Sequence, residues 1–250
     1  MDNFQFTVEP FSEDVTGHLS WGVLGNQLLR VANLSASKHD FGFSNVAESH
    51  YAWVLSRLII EVGDMPQTGA DYSINTWVSR VYRQFTDRLF SFTNAAGEPF
   101  GYAHSIWALI DLETRQPADI EHMADSAIAK AAEPYTIPIS SVSRVKVAQT
   151  EPVRILKAAY GDLDINGHVN SIRYLQATLD TLYDCFAAAL NYERHRVRRV
   201  EISYSKELYF GDNLFFYAQQ EDELTYAVEI KTDQNVVATK VKVFFEPVCK

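Results

Sequence analysis

The 250-residue sequence predicts an α+β protein made of two copies of one unit, a long helix followed by four antiparallel strands. Three observations carry that reading. Apolar residues recur at helical spacing in two separate stretches, Trp21, Leu24, Leu28 and Val31, then Val169, Ile172, Leu175 and Leu179. Each stretch is followed by four strand-like runs punctuated by turn residues. The landmarks also repeat: Arg57-Leu58-Ile59-Ile60 with Gly69 and Asp71 parallels Arg199-Val200-Glu201-Ile202 with Gly211 and Asp212, an offset of about 142 residues.

In the first copy a strand at 4–8 precedes a helix over 17–37. Strands at 51–62, 71–82, 87–94 and 99–112 follow, with Asn94-Ala95-Ala96-Gly97 as the last turn. The second copy opens with a strand at 152–160 and a helix over 169–190. Its strands fall at 198–209, 213–220, 224–232 and 236–246, the final turn being Thr232-Asp233-Gln234-Asn235. The segment between contains Pro117, Pro134 and Pro138, a short helical piece near 119–131 and Ser/Thr-rich stretches, as expected of a wrapping linker.

A sheet that curls around one long helix and buries its apolar stripe is a hot-dog unit. One such unit leaves an open sheet edge, which a second unit alongside covers. The expected architecture is therefore a tandem (double) hot-dog, two long central helices wrapped by a continuous antiparallel sheet. Its parts are an N-terminal unit over 1–115, a linker over 116–150 and a C-terminal unit over 151–250.

Composition narrows the function classes. With 22 basic against 32 acidic residues the net charge is −10, which argues against general nucleic-acid or anionic-membrane binding. The opening Met1-Asp2-Asn3-Phe4-Gln5-Phe6 lacks a signal or transit pattern, and no apolar run reaches membrane length. Two cysteines, Cys185 and Cys249, make no disulfide framework, so a cytoplasmic protein is expected. An aromatic share of 13% serves equally to line an apolar tunnel or to fill a β-rich core.

Chemistry-bearing residues concentrate in Gly-Asp-Leu-Asp-Ile-Asn-Gly-His-Val-Asn-Ser-Ile-Arg-Tyr, residues 161–174. Asp164, Asn166 and His168 are spaced i, i+2, i+4, so an extended segment would project all three to one side. Asp162, Asp164, Asn166 and Gly167 mimic the start of an EF-hand loop, but its twelfth position is Arg173 where calcium needs a bidentate Glu. Acids and amides ahead of a helix also serve as caps, and the residues alone leave both roles open. Gly17-His18-Leu19-Ser20 echoes Gly167-His168-Val169-Asn170, with the preceding Asp and Asn read as missing from the first copy.

The Asp-x-Asn-x-His-Val-Asn stretch resembles that of the acyl-acyl carrier protein thioesterases of plant plastids and bacteria. Further similarity lies in Tyr204-Ser205-Lys206-Glu207, Trp53-Val54-Leu55-Ser56-Arg57, Thr76-Trp77-Val78-Ser79, and Ser105-Ile106-Trp107 followed by Leu112-Glu113-Thr114-Arg115-Gln116-Pro117, from about residue 20 to 245. The resemblance implies hydrolysis of a fatty acyl-carrier thioester without cofactor or metal, with the N-terminal copy selecting the acyl chain. It implies a catalytic set of Asp164, Asn166, His168 and Glu207. Glu207, expected on a strand, is the favoured base, and Asp164 stays open as base or nucleophile. Asn166, His168 and the amide near Val169 are the candidate donors to the developing oxyanion.

One departure is Leu208, where plant members carry a cysteine. Neither Cys185, within the second helix, nor Cys249, beside the last residue, has the setting of an activated thiolate. The dense basic run Arg194-His195-Arg196-Val197-Arg198-Arg199 offers Arg194, Arg196 and Arg198 as a dock for an acidic carrier protein, or else a solvated loop. The rival readings are an acyl-CoA hydrolase, a non-catalytic acyl-binding sensor and an acyl hydratase. A homo-oligomer is left open.

Overall fold

The structure, a computed structural model, describes residues 1–120 and 127–248. The chain forms two compact units, Met1–Ser140 and Ser141–Lys250. The first contains β1 (Asp2–Thr7), α1 (Trp21–Lys38), α2 (Phe43–Glu48), β2 (Tyr51–Val62), β3 (Asp71–Tyr82), β4 (Phe85–Asn94), β5 (Pro99–Asp111) and α3 (Ala127–Lys130). The second contains β6 (Arg154–Lys157), a 3-10 turn at Tyr160–Asp162, α4 (Ser171–Cys185), β7 (His195–Tyr204), β8 (Asn213–Asp222), β9 (Thr225–Lys231) and β10 (Val237–Pro247).

Both units use one topology. The first sheet runs β2-β5-β4-β3-β1 and the second β7-β10-β9-β8-β6, every pairing antiparallel. The fold is the tandem hot-dog expected, and each central helix forms for a local reason. Ser20 caps α1 by accepting from the Val23 amide, and Leu24, Leu28 and Val31 are fully buried. Asn170 caps α4, its Oδ1 accepting from the Ile172 amide at 2.8 Å, while Ile172, Leu175 and Leu182 are fully buried. Each such side chain contributes roughly 1.5–3 kcal/mol of burial.

Three expectations shift. The second helix starts at Ser171, leaving Val169 outside it, and Leu179 is half-buried. Helix α2 is new: six residues are too few to show periodicity. It places Val46 in a cluster with Phe41, Leu109, Ile120 and Ile128. Of the helical piece expected near 119–131, Ala127–Lys130 is helical, and residues 121–126 lie outside the described residues.

The linker divides between the units. Ile120 and Glu133 donate backbone bonds to Arg83 and Val78 of the first. Residues 141–148 strap the second. Ser141 O accepts from Arg199, the Ser143 amide donates to Glu201 Oε2 at 2.6 Å, and Lys240 donates to Val145 O. Further along, Gln219 bonds both Lys146 O and the Ala148 amide. The strap buries the Arg199–Glu201 ion pair (2.8 Å) while supplying it with hydrogen bonds, the condition under which a buried pair is tolerated.

Candidate active site

The motif is not extended. Residues 163–169 fold as a tight hairpin: Leu163 bridges Val169, the Asp164 amide donates to His168 O at 2.8 Å, and the Gly167 amide donates to Asp164 O at 3.0 Å. Gly167 holds φ +76°, a left-handed turn position open to glycine at little cost. The same-side argument for Asp164, Asn166 and His168 therefore fails. Asp164 Oδ1 instead turns back on its own loop, accepting from the amides of Asn166 (2.8 Å) and His168 (3.2 Å). Asn166 is exposed at the tip, and its side chain engages none of the described residues.

Glu207 reaches this loop from a different position than expected. Strand β7 ends at Tyr204, because the Ser205 and Lys206 amides both turn to Ala238 O, so Glu207 lies in the following loop and not on a strand. Two ties hold that loop against the hairpin. The Val169 amide donates to Leu208 O at 2.8 Å, and His168 bridges Tyr209. Tyr204 OH donates to Ser171 O at 2.9 Å, pinning the helix start to the end of β7. Tyr174, buried on α4, contacts the Leu208 backbone, and burial pushes its phenol above the ordinary range.

The result is a carboxylate–imidazole pair, with His168 Nε2 standing 3.5 Å from Glu207 Oε2 and both side chains partly exposed. Tyr209, which the sequence reading missed, completes the group. Its ring meets His168 edge to face at 5.0 Å and its hydroxyl donates to Glu207 Oε2 at 3.4 Å. Tyr209 is itself set by a turn in which its amide donates to Asp212 Oδ2 at 2.9 Å and Gly211 takes φ +83°. The signal available was its position, two residues beyond Glu207 and just ahead of Gly211.

Other expectations need correction. The Val169 amide is spent on Leu208 O, so it is not an oxyanion donor in this arrangement. Arg196 and Arg198 both face Glu246, at 2.7 and 3.7 Å, so much of the basic run is internally neutralised, while Arg194 is exposed. Cys185 is exposed near the end of α4, where partial burial and then Asp184 raise its thiol, the opposite of activation. Cys249 lies outside the described residues.

The first copy has the same scaffold with different chemistry. The Asp14 amide donates to His18 O at 2.8 Å, Gly17 holds φ +78°, and the Leu19 amide donates to Pro66 O. Asp14 thus stands where Asp164 does, correcting the reading that the first copy lacks this acid; only the Asn is replaced, by Thr16. His18 bridges Gln67 as His168 bridges Tyr209, which puts Met65 in the place of Glu207. A glutamate at this position belongs to the second copy alone.

The fold and this pair define a tandem hot-dog protein with a Glu–His centre at the start of its second central helix. The acyl-ACP thioesterase N-terminal domain model matches residues 3–126 and the C-terminal domain model residues 145–247. The chain belongs to the acyl-ACP thioesterase family. An acyl-ACP thioesterase from Bacteroides thetaiotaomicron is similar in structure at TM-score 0.90 and 43% identity, over 98% of this chain and 97% of that one. The 12:0-ACP thioesterase from Umbellularia californica shares the fold at TM-score 0.86 and 17% identity, over 99% and 97% of the two chains. The palmitoyl-acyl carrier protein thioesterase of Arabidopsis thaliana is 25% identical over 66% of this chain. The match spans only 41% of that plant protein's length.

Proposed function

We propose that this chain hydrolyses the thioester between a fatty acyl group and the phosphopantetheine arm of acyl carrier protein, releasing the free fatty acid. The observation that carries the reading is the 3.5 Å approach of Glu207 to His168 in a family of acyl-ACP thioesterases. Glu207 is the base in this mechanism. It takes a proton from water as the water oxygen bonds to the thioester carbon, and the carbonyl electrons move to oxygen. Collapse of the tetrahedral intermediate breaks the C–S bond, and the protonated Glu207 returns its proton to the departing thiolate.

Asn166 and His168 are the donors assigned to the oxyanion, a role in which one donor is worth about 3–4 kcal/mol. Support for Asn166 comes from its uncommitted side chain at the loop tip. Asp164 is assigned to positioning, because its carboxylate holds the amides on either side of Gly167. Tyr209 orients the Glu207 carboxylate. Acyl selection is assigned to the N-terminal unit. Carrier docking is assigned to the basic run of Arg194, Arg196 and Arg198, with Arg194 as its exposed member.

A thiol-release assay across acyl chains attached to carrier protein or to CoA tests the reading. Turnover on carrier-bound chains that exceeds turnover on CoA esters supports it, and a CoA preference turns it into the acyl-CoA alternative. Binding without thiol release leaves the non-catalytic sensor.

A further inference from the structure

Three bulky apolar side chains stand in solvent beside the candidate centre. Tyr160 is 86% exposed, Ile165 is wholly exposed at the hairpin tip and Phe210 is 67% exposed. One exposed apolar residue is ordinary, but three on adjoining loops form a patch of the kind that meets a partner. Backbone bonds make the loops adjoin. The Ala158 amide donates to Asp212 O at 2.8 Å, the Gly211 amide to Ala158 O at 2.9 Å and the Asn170 amide to Asp162 O at 2.8 Å, while His168 bridges Tyr209. The patch is therefore set before any partner arrives, which lowers the ordering cost of binding.

Its charge is equally distinct. Lys157 and Lys206 are exposed and form no ion pair among the described residues, and Lys157 Cε stands 3.9 Å from where a β-carbon on Gly211 would sit. The nearby carboxylates engage the loops themselves. Asp162 pairs with Arg173 at 2.7 Å, Glu207 faces His168, Asp164 accepts two amides and Asp212 accepts from the Tyr209 amide. On a chain of net charge −10, these loops turn cations and apolar groups outward. The first copy serves as an internal control. It exposes Phe11 and Val15 but has Thr7, Asp64 and Thr68 at the places of Lys157, Lys206 and Phe210.

We propose that Tyr160, Ile165, Phe210, Lys157 and Lys206 form the face on which an acidic carrier protein sits while its arm enters the site, an assignment that rests on the substrate being carrier-bound. The arm is tethered, so a carrier that delivers a thioester to Glu207 comes to rest over the loops around it. The basic run does not supply this seat alone. It opens β7, and the centre lies past the far end of that ten-residue strand, roughly 30 Å away. Cations beside apolar anchors complement an acidic partner in charge and in contact.

The probe is fluorescently labelled acyl carrier protein bearing a dodecanoyl group through an amide in place of the thioester, titrated with the whole protein. Binding should be saturable, and it should weaken at least fivefold in Lys157→Glu with Lys206→Glu and again in Ile165→Ser with Phe210→Ser. Val15→Ser, at the matching position of the first copy, should change it less than twofold. Circular dichroism checks the fold, and all four replaced side chains lie in solvent. No saturable binding, a smaller loss in either folded pair, or an equal loss in Val15→Ser overturns the proposal. A dimer in sedimentation that the substitutions dissolve, or patch-dependent binding to phosphatidylglycerol vesicles without carrier binding, gives the face to another occupant and overturns it too. The amide is not hydrolysed, so binding is read apart from turnover. Patch-dependent binding without thiol release from the true thioester removes the hydrolytic reading and leaves the docking face, and thiol release with patch-independent binding does the opposite.

Discussion

The Val169 amide donates to the Leu208 carbonyl at 2.8 Å, and this one backbone bond joins the two loops that carry the candidate chemistry. It sets His168 and Glu207, each adjacent in sequence to a bonded residue, within 3.5 Å of each other. The first copy makes the same bond from Leu19 to Pro66 but flanks it with Met65. Scaffold and chemistry are therefore separable, which makes the site open to substitution without loss of fold.

Glu207→Gln and His168→Ala should each lower thioester hydrolysis at least tenfold, because one removes the proposed base and the other its partner and a proposed oxyanion donor. The measurement is kcat on an acyl-carrier substrate, with circular dichroism as the control. Turnover near that of the unaltered protein in folded Glu207→Gln would remove the carboxylate mechanism.

Asp164 is tested by two substitutions. Asp164→Ala removes the acceptor for two amides and should lower activity at least tenfold. An Asn side chain keeps one acceptor oxygen, so Asp164→Asn should recover part of the loss. If the two variants are equally inactive, Asp164 takes part in the chemistry itself.

Tyr209→Phe removes the hydroxyl from Glu207 while keeping the ring against His168. Glu207 then loses a hydrogen bond that orients it, and kcat should fall roughly two- to fivefold. An unchanged kcat in folded Tyr209→Phe would show that Tyr209 only packs.

Asp87, buried on β4, is held by Arg80 at 2.7 Å and His104 at 3.2 Å. Burial raises its carboxyl, but His104 and Arg80 outweigh that and leave it below the ordinary carboxylate value of 3.8. A lowered folded value means the stabilisation is present above the unfolded value and lost as pH falls through the folded one. Asp87→Asn should therefore lower Tm at pH 7, and the deficit should shrink in acid, below about pH 4. A pH-independent deficit would mean that lost packing, not charge, is responsible.

Most of the architecture was legible because it rests on local, periodic signals. The stripe of Trp21, Leu24, Leu28 and Val31 can be buried only by a helix, and all four residues are buried. The strands at 51–62 and 71–82 fall where their apolar runs and turns place them. Helix α2 was illegible because its six residues answer to a distant cluster with Ile120 and Ile128.

By itself, the sequence determined where the candidate chemistry is concentrated and that the unit occurs twice, since composition and spacing are local properties of the chain. Tertiary structure alone decided how the candidate residues meet. It turned Asp164 inward onto its own loop, spent the Val169 amide on Leu208, moved Glu207 off the strand and brought Tyr209 to it. Each of these is a hydrogen bond whose outcome depends on which partner the folded chain delivers to a donor or acceptor, and residue spacing does not encode that delivery.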